Sequence, residues 1–284
     1  LGNPALALNL PMHQIVVDSI NGIPVAGAAT LPMLKAGSIA RMAGHIEGAD
    51  DFRGVITATV RDSKETVTCR LNDTGKDGAE KAFEYKDRTK TLYQGTDSVR
   101  GGKFTFSFAV PLDINYSNQS GLVNLYAVNT AKTLSAHGSS EQFTVGESEE
   151  QKNDSIGPSI YCYLNSPSFV DGGNVNPSPF FVAKIIDKDG INAAGSGIGH
   201  DLQLVIDGDM SKTYVLNSNF IYDFGTYTSG STYYSIPQLE PGKHELTFRA
   251  WDIQNNSSTV KLRFNVVKAL SPALFDVGVT ANPA

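Results

Sequence analysis

Residues 102–111 place Phe104, Phe106, Phe108 and Val110 on one side of a strict alternation and Thr105, Ser107 and Ala109 on the other. A period of 2 over that length is satisfied by an extended chain with one face on a core and the other toward water. Much of the chain follows the same pattern. Ile56, Ala58 and Val60 alternate with Val55, Thr57 and Thr59, and Val260, Leu262, Phe264 and Val266 alternate with Lys261, Arg263 and Asn265. In the first half, no ten-residue stretch keeps a helical period without a Gly or Pro breaking it. Asn21-Gly22 is a strong two-residue hairpin signal. Short apolar runs at ~8–12-residue spacing, separated by Gly, Pro and Asn, predict an all-β protein of two tandem β-sandwich domains. The second is expected to be immunoglobulin-like, although it lacks the Cys…Trp…Cys pattern of antibody domains.

The expected boundaries follow from composition. Residues 1–14 read as the tail of an upstream element, 15–147 as the first sandwich and 148–156 as a charged linker without large apolar side chains before Ile156. Residues 157–268 make the second sandwich, and 269–284 lead into a further C-terminal one. Residues 71–88, polar and rich in Asp-Thr-Gly and Lys-Asp-Gly turns, read as a loose connection.

Function classes can be excluded as well. A net charge of −6 with 23 Lys+Arg gives no basic face for phosphates, so nucleic acid is not an expected partner. No apolar run approaches the ~20 residues of a membrane-spanning helix. Cys69 and Cys162 fall in separate expected domains and are read as two free thiols, Cys162 facing a core with Ile160 and Leu164. Cysteine catalysis needs a thiolate beside a base, and no motif places His13, His45, His137, His200 or His244 next to either cysteine. No cofactor is expected.

The loop 187–201 gathers the most polar chemistry. Asp187, Asp189, Asn192 and Asp201 offer oxygen ligands suited to Ca²⁺, but an EF-hand needs Gly at its sixth position and Glu at its twelfth, where Asn192 and Ile198 stand. The reading adopted is a loop held by its own hydrogen bonds, with a bespoke Ca²⁺ loop as the alternative. Gly195 to Gly199 precede a strand, whereas a phosphate cradle needs a helix N-terminus after it. Asp187 and Asp252 each close an alternating apolar strand and enter a turn, where a carboxylate can accept the N–H groups that follow. Tyr214, Phe220, Tyr222, Phe224, Tyr227, Tyr233 and Tyr234 crowd one region. They fit core and sheet-edge cover, or exposed rings of a carbohydrate-binding surface module. Trp251, Tyr222, Tyr227 and Tyr233 are the candidate interface residues, Trp251 because it alternates with Leu246, Phe248 and Ala250 and so faces away from their core.

Several segments taken together resemble the region after the catalytic domain in the type IX secretion sortases, a group of gingipain-like cysteine peptidases. Residues 1–6 resemble the end of such a catalytic domain, which usually carries an acid where Asn3 stands. Residues 106–116, 157–165, 187–201 and 242–258 resemble the middle region, and 276–284 resemble the lead into the terminal sandwich. The resemblance implies a non-catalytic β-sandwich region that positions an upstream peptidase domain in the same chain. It also implies an outer-membrane surface location, with an outer-membrane barrel protein and secreted cargo as partners. The parent's chemistry, cutting a C-terminal signal from cargo and passing the cargo to lipopolysaccharide, would belong to a Cys–His pair upstream. No residue here matches that pair, so no catalytic residue carries over.

Overall fold

The computed structural model describes residues 10–70, 81–150, 154–194 and 199–268. The expectations for 1–9, 71–80, 151–153, 195–198 and 269–284 lie outside the described residues. Among the described residues every long regular element is a β-strand, and the only helical turns are two short 3₁₀ segments, Met210–Lys212 and Asn217–Asn219.

In the first half, seven strands form a ring. Going round it they are His13–Ile20, Ile39–Ile46, Lys103–Ala109, Thr91–Arg100, Gly54–Arg61, Leu122–Asn129 and Ser135–Ser140, which returns to His13–Ile20. Six of the neighbour pairs are antiparallel. The closing pair, His13 with Ala136 and Gln14 with His137, is parallel. Direction can alternate all the way round only if the strand number is even, so a ring of seven must contain a parallel pair. This closed barrel stands where two packed sheets are expected from the sequence. The reason is Ser135–Ser140, a polar strand that buries only Ala136 fully yet joins both ends of the sheet. Its Gly138 passes so close to His13–Ile20 that a Cβ there would overlap the Ile15 carbonyl oxygen.

The barrel interior takes the inward row of each strand: Met42 and Ile46, Ile56 and Val60, Phe104 and Phe106, Val123 and Leu125. A register shift between Val17 and Ser19 rephases the first strand, so Val17 and Ile20 are both buried although three positions apart. The Asn21-Gly22 turn takes positive φ at both residues, +52° and +77°, as a twisted two-residue hairpin requires.

One junction in the ring is incomplete. Thr91–Arg100 and Lys103–Ala109 pair only next to their Gly101-Gly102 turn, at Val99–Phe104 and Arg100–Lys103. Beyond Phe104 their facing edges share no ladder, leaving a seam in the wall.

In the second half, the strands Ser159–Leu164, Phe180–Ile186, Ser229–Ser235 and Ile221–Tyr222 form one sheet in that order. Asn174–Val175, Ser257–Val266, Gly242–Trp251, Gln203–Ile206 and Thr213–Val215 form the other. Their inner faces meet, with Phe181 of the first sheet against Phe248 of the second at 5.2 Å between ring centroids. Cys162 faces this core. Within the expected connection 71–88, Glu84–Asp87 pairs with Glu65–Thr68 as a small hairpin. Its alternation carries little apolar content, which is why it reads as a loop.

The ring closure can be tested at Gly138. Gly138→Ala should destabilise the protein by about 1–3 kcal/mol, because the added methyl forces two paired backbones apart. Gly48→Ala, where a Cβ meets nothing within 4 Å, should cost only the ~1 kcal/mol or so of its positive φ. Urea titration of both variants checks this, and equal losses would mean that Gly138 is not a closure constraint.

Candidate functional site

The polar chemistry of the 187–201 loop lies at the junction of the two halves. Asp187, at the end of Phe180–Ile186, is buried, and its Oδ1 accepts the N–H groups of Asp189 at 2.8 Å and Gly190 at 3.2 Å. Asp252, after Gly242–Trp251, is fully buried and accepts the N–H groups of Gln254 at 2.9 Å and Asn256 at 2.7 Å, and the Asn256 amide at 2.8 Å. The two turns join to each other: Ile191 bridges to Asp252, Ile253 N–H donates to the Gly190 carbonyl at 3.1 Å, and Asn192 N–H donates to the Trp251 carbonyl at 2.9 Å. Two strand ends with the same Asp signature thus form one paired structure.

That structure presses on the barrel. Gly190 has φ +122°, and a Cβ there would lie 2.6 Å from the Ala109 methyl. Asn192 donates its amide to Asp113 at 2.8 Å, and His200 Nδ1 lies 2.9 Å from both oxygens of the same carboxylate. Asn255 reaches Asp113 at 3.4 Å, and Leu112 N–H donates to the Ile253 carbonyl at 3.3 Å. The His200 ring packs edge-on against Trp251 at 4.5 Å between centroids, and the Arg249 guanidinium stands 5.9 Å from the Trp251 ring centre. Trp251 is therefore on the face opposite Phe248, partly covered by the loop.

The second contact is at the seam. Gly225 N–H donates to the Thr96 carbonyl at 2.9 Å. Tyr222, 5 % exposed, packs on Tyr93 at 5.2 Å and donates its hydroxyl to the Ile191 carbonyl at 2.7 Å. Tyr227 lies beside Gly190, and Ile191 N–H donates to its carbonyl at 3.3 Å. Residues 222–227 thus lie against the unpaired strand edges of the barrel. Tyr233 stacks on Phe180 at 6.0 Å, and each of the two residues is 41 % exposed.

The aromatic cluster is therefore divided. Phe220 and Tyr222 are buried, Tyr214 pairs with Tyr234, Phe224 is exposed, and no single exposed platform gathers them. The four Ca²⁺ candidates do not converge either. Asp187 serves its own turn, Asp189 binds Lys188 Nζ at 2.6 Å, and Asn192 serves Asp113. Asp201 lies near His200 and Asp113, with its carboxyl raised chiefly by burial. Among the described residues, no group of three or more His, Cys, Asp or Glu side chains is placed to hold a metal ion.

Nor do the cysteines form a reactive centre. Burial pushes the Cys162 thiol up to about 11, and Cys69 is exposed. The hydrogen bonds of His13, His45, His200 and His244 go to the Glu47 carbonyl, Asp18, Asp113 and Asp207. The arrangement joins two units, and none of these four histidine bonds goes to a cysteine. Asp113 is the residue that no polar motif in the sequence singles out, since Asn192, His200 and Asn255, which meet its carboxylate, lie 79 or more positions away. Asp62 was likewise missed: fully buried, it accepts from Ser63 and Asn115 N–H, both at 2.6 Å.

No protein-family model matches the chain, and no curated protein matches it. Among solved structures it is similar to the crystal structure of dimeric latent PorU from Porphyromonas gingivalis, at 33 % identity and a TM-score of 0.56 over 96 % of this chain. The match covers 26 % of that protein, so the chain spans about a quarter of its length. A red sea bream transglutaminase structure covers 92 % of the chain at 10 % identity and a TM-score of 0.26, too low to support any inference. The relationship these findings support is therefore to PorU, over nearly the whole of this chain.

Burial, offset in part by its N–H donors, holds the Asp187 carboxyl above the usual range. The folded state then keeps this proton better than the unfolded state. The contribution is full below the unfolded value of ~3.9 and is lost as pH rises through the raised one. Asp187→Asn keeps an acceptor oxygen and removes the charge. Lowering pH from about 7 to about 4.5 should therefore shift the stability difference toward the wild type, as read by urea titration at both values; a shift toward the variant would contradict the assigned direction. Melting in EDTA and in added Ca²⁺ should agree within about a degree, whereas a rise of many degrees abolished by Asp189→Ala would establish a Ca²⁺ loop.

Proposed function

We propose that this chain is the non-catalytic β region of a gingipain-like, PorU-type cell-surface cysteine peptidase of type IX secretion. In this reading it positions the peptidase domain of the same chain at the outer-membrane surface and supplies docking surface for an outer-membrane barrel partner or for cargo. Residues 15–147 and 157–268 are its two structural units, the second an immunoglobulin-like sandwich, with 148–156 between them. The observation that carries the reading is the 33 % identity to PorU spread over 96 % of this chain while covering 26 % of PorU. A match that long in this chain and that partial in the relative fits a region of a larger protein. The cross-linked junction, where Asp113, Asn192, His200 and Asn255 fix one half against the other, suits a supporting role.

A rigid junction matters if the region positions something. Replacing Asp113 by Ala leaves Asn192 and His200 without their shared acceptor and should cost about 2–4 kcal/mol. In cells, the parent protein carrying Asp113→Ala should reach the surface and bind an active-site-directed thiol probe as the wild type does, yet cut C-terminal signals from cargo more slowly. Unchanged cargo processing in a variant shown to be destabilised would overturn the positioning role. Purified 1–284 should show background peptide hydrolysis, and activity lost on Cys69→Ala or Cys162→Ala would overturn the non-catalytic assignment.

A further inference from the structure

Next to the seam, the two halves leave a cleft of about 510 Å³, within the range of pockets that hold small ligands. Its barrel wall is the start of Thr91–Arg100, including Thr91 and Gln94; its other wall is the segment 217–222, and Tyr233 stands at its rim. No charged residue lines it. The Asn217 amide nitrogen in its wall is buried and has no hydrogen-bond partner.

The barrel wall of this cleft is an open strand edge. Backbone groups of successive residues point to opposite sides of a strand. The Thr96 carbonyl points across the seam to Gly225 N–H. Arg100, paired with Lys103 across the tight turn, points the same way. By alternation, the N–H and C=O of Gln94 face the cleft, and the Gln94 side is beyond the last paired residues of the seam. Gln94 is exposed. Residues 222–227 cover the edge at Thr96, and among the described residues no loop backbone hydrogen bond reaches Gln94.

We propose that this cleft takes up an extended, uncharged polypeptide segment as an added strand on the Gln94 edge. An unpaired N–H and C=O at strand spacing is complementary to another backbone. The added strand would lie ~4.7–4.9 Å from Gln94. The neutral lining selects against charged side chains, since each would be desolvated without a counter-charge. A saccharide could use the same hydroxyls, amides and Tyr233 ring, but would gain nothing from a backbone edge. This inference does not depend on the peptidase reading.

Affinity from strand addition is carried by main-chain bonds and is tolerant of sequence, so a simple alternating peptide is a fair probe. The probe is fluorescein-labelled Thr-Val-Thr-Val-Thr-Val-Thr amide, titrated against the intact chain by fluorescence anisotropy. Saturable binding is expected below about 1 mM. Gln94→Pro removes only the outward N–H, which proline permits on a strand edge, and should weaken binding at least about tenfold. Gln94→Ala, which keeps the backbone, should stay within about twofold. The same peptide N-methylated at alternate residues, tested on wild-type protein, should not bind, which holds the test even if the proline variant misfolds. Absence of saturable binding, or equal binding by the methylated peptide, overturns the proposal. Loss with Gln94→Ala but not with Gln94→Pro would indicate side-chain recognition, as of a saccharide, and would overturn it too.

Discussion

The rest of the structure depends on the seam between Thr91–Arg100 and Lys103–Ala109. A sheet that curls into a barrel but leaves two facing edges unpaired exposes backbone donors and acceptors that need partners. Here the second half supplies them. Gly225 donates to Thr96, Tyr222 covers Tyr93, and the Gly190 backbone lies against Ala109. The first half is thus a barrel whose wall is completed partly by its neighbour. The residues that make this possible are small: Gly190, where a methyl would collide, and Gly95, where a Cβ would overlap the Tyr93 hydroxyl.

What holds the junction in register is polar, and this has an electrostatic cost. Burial raises the carboxyls of Asp187 and Asp252; the Asp187 charge raises Asp252 further, and the charges of Asp189 and Asp154 raise Asp187. Their N–H and amide donors offset much of that cost. Such groups contribute orientation more than net stability, because an apolar pair of similar shape would avoid the desolvation altogether. The nearby Asp154–Lys188 pair works in the other direction. The Lys188 hydrogen bond holds Asp154 at about 2, so that contribution is present above ~3.9 and is lost as pH falls toward 2. Lys188 is largely exposed, so solvent screens the pair.

Strands with period-2 alternation were legible because burial of one face is written directly into residue type: Phe104, Phe106 and Phe108 on one, Val260 to Val266 on another. Two barrel strands were not. Thr91–Arg100 carries Gly95 and a register shift beside Val60 and Arg61, so Leu92 and Tyr93 are buried in succession and the alternation breaks. Ser135–Ser140 contributes backbone to the ring and almost no apolar surface. Without them the first half counts out as an open sheet. The paired turns at Asp187 and Asp252 were legible as turns, since a carboxylate at a strand end and the N–H groups after it are local. That the loop meets Asp113 was not, because the partners are set by the packing of two halves rather than by spacing along the chain.

The odd strand number fixes how the chain passes through the barrel. With His13–Ile20 and Ser135–Ser140 running side by side in the same direction, the first strand begins at one mouth of the ring and the last one ends at the other. That second mouth, where Thr91, Ala109 and Ser140 lie, is the one against which the second half packs. An eight-strand ring would return the chain to the mouth it entered and hang the barrel to one side like a bead on a loop. Seven strands thread it in line, so a load applied along the backbone between His13 and Ser159 runs lengthwise through the wall, shearing its hydrogen bonds together instead of peeling them one at a time.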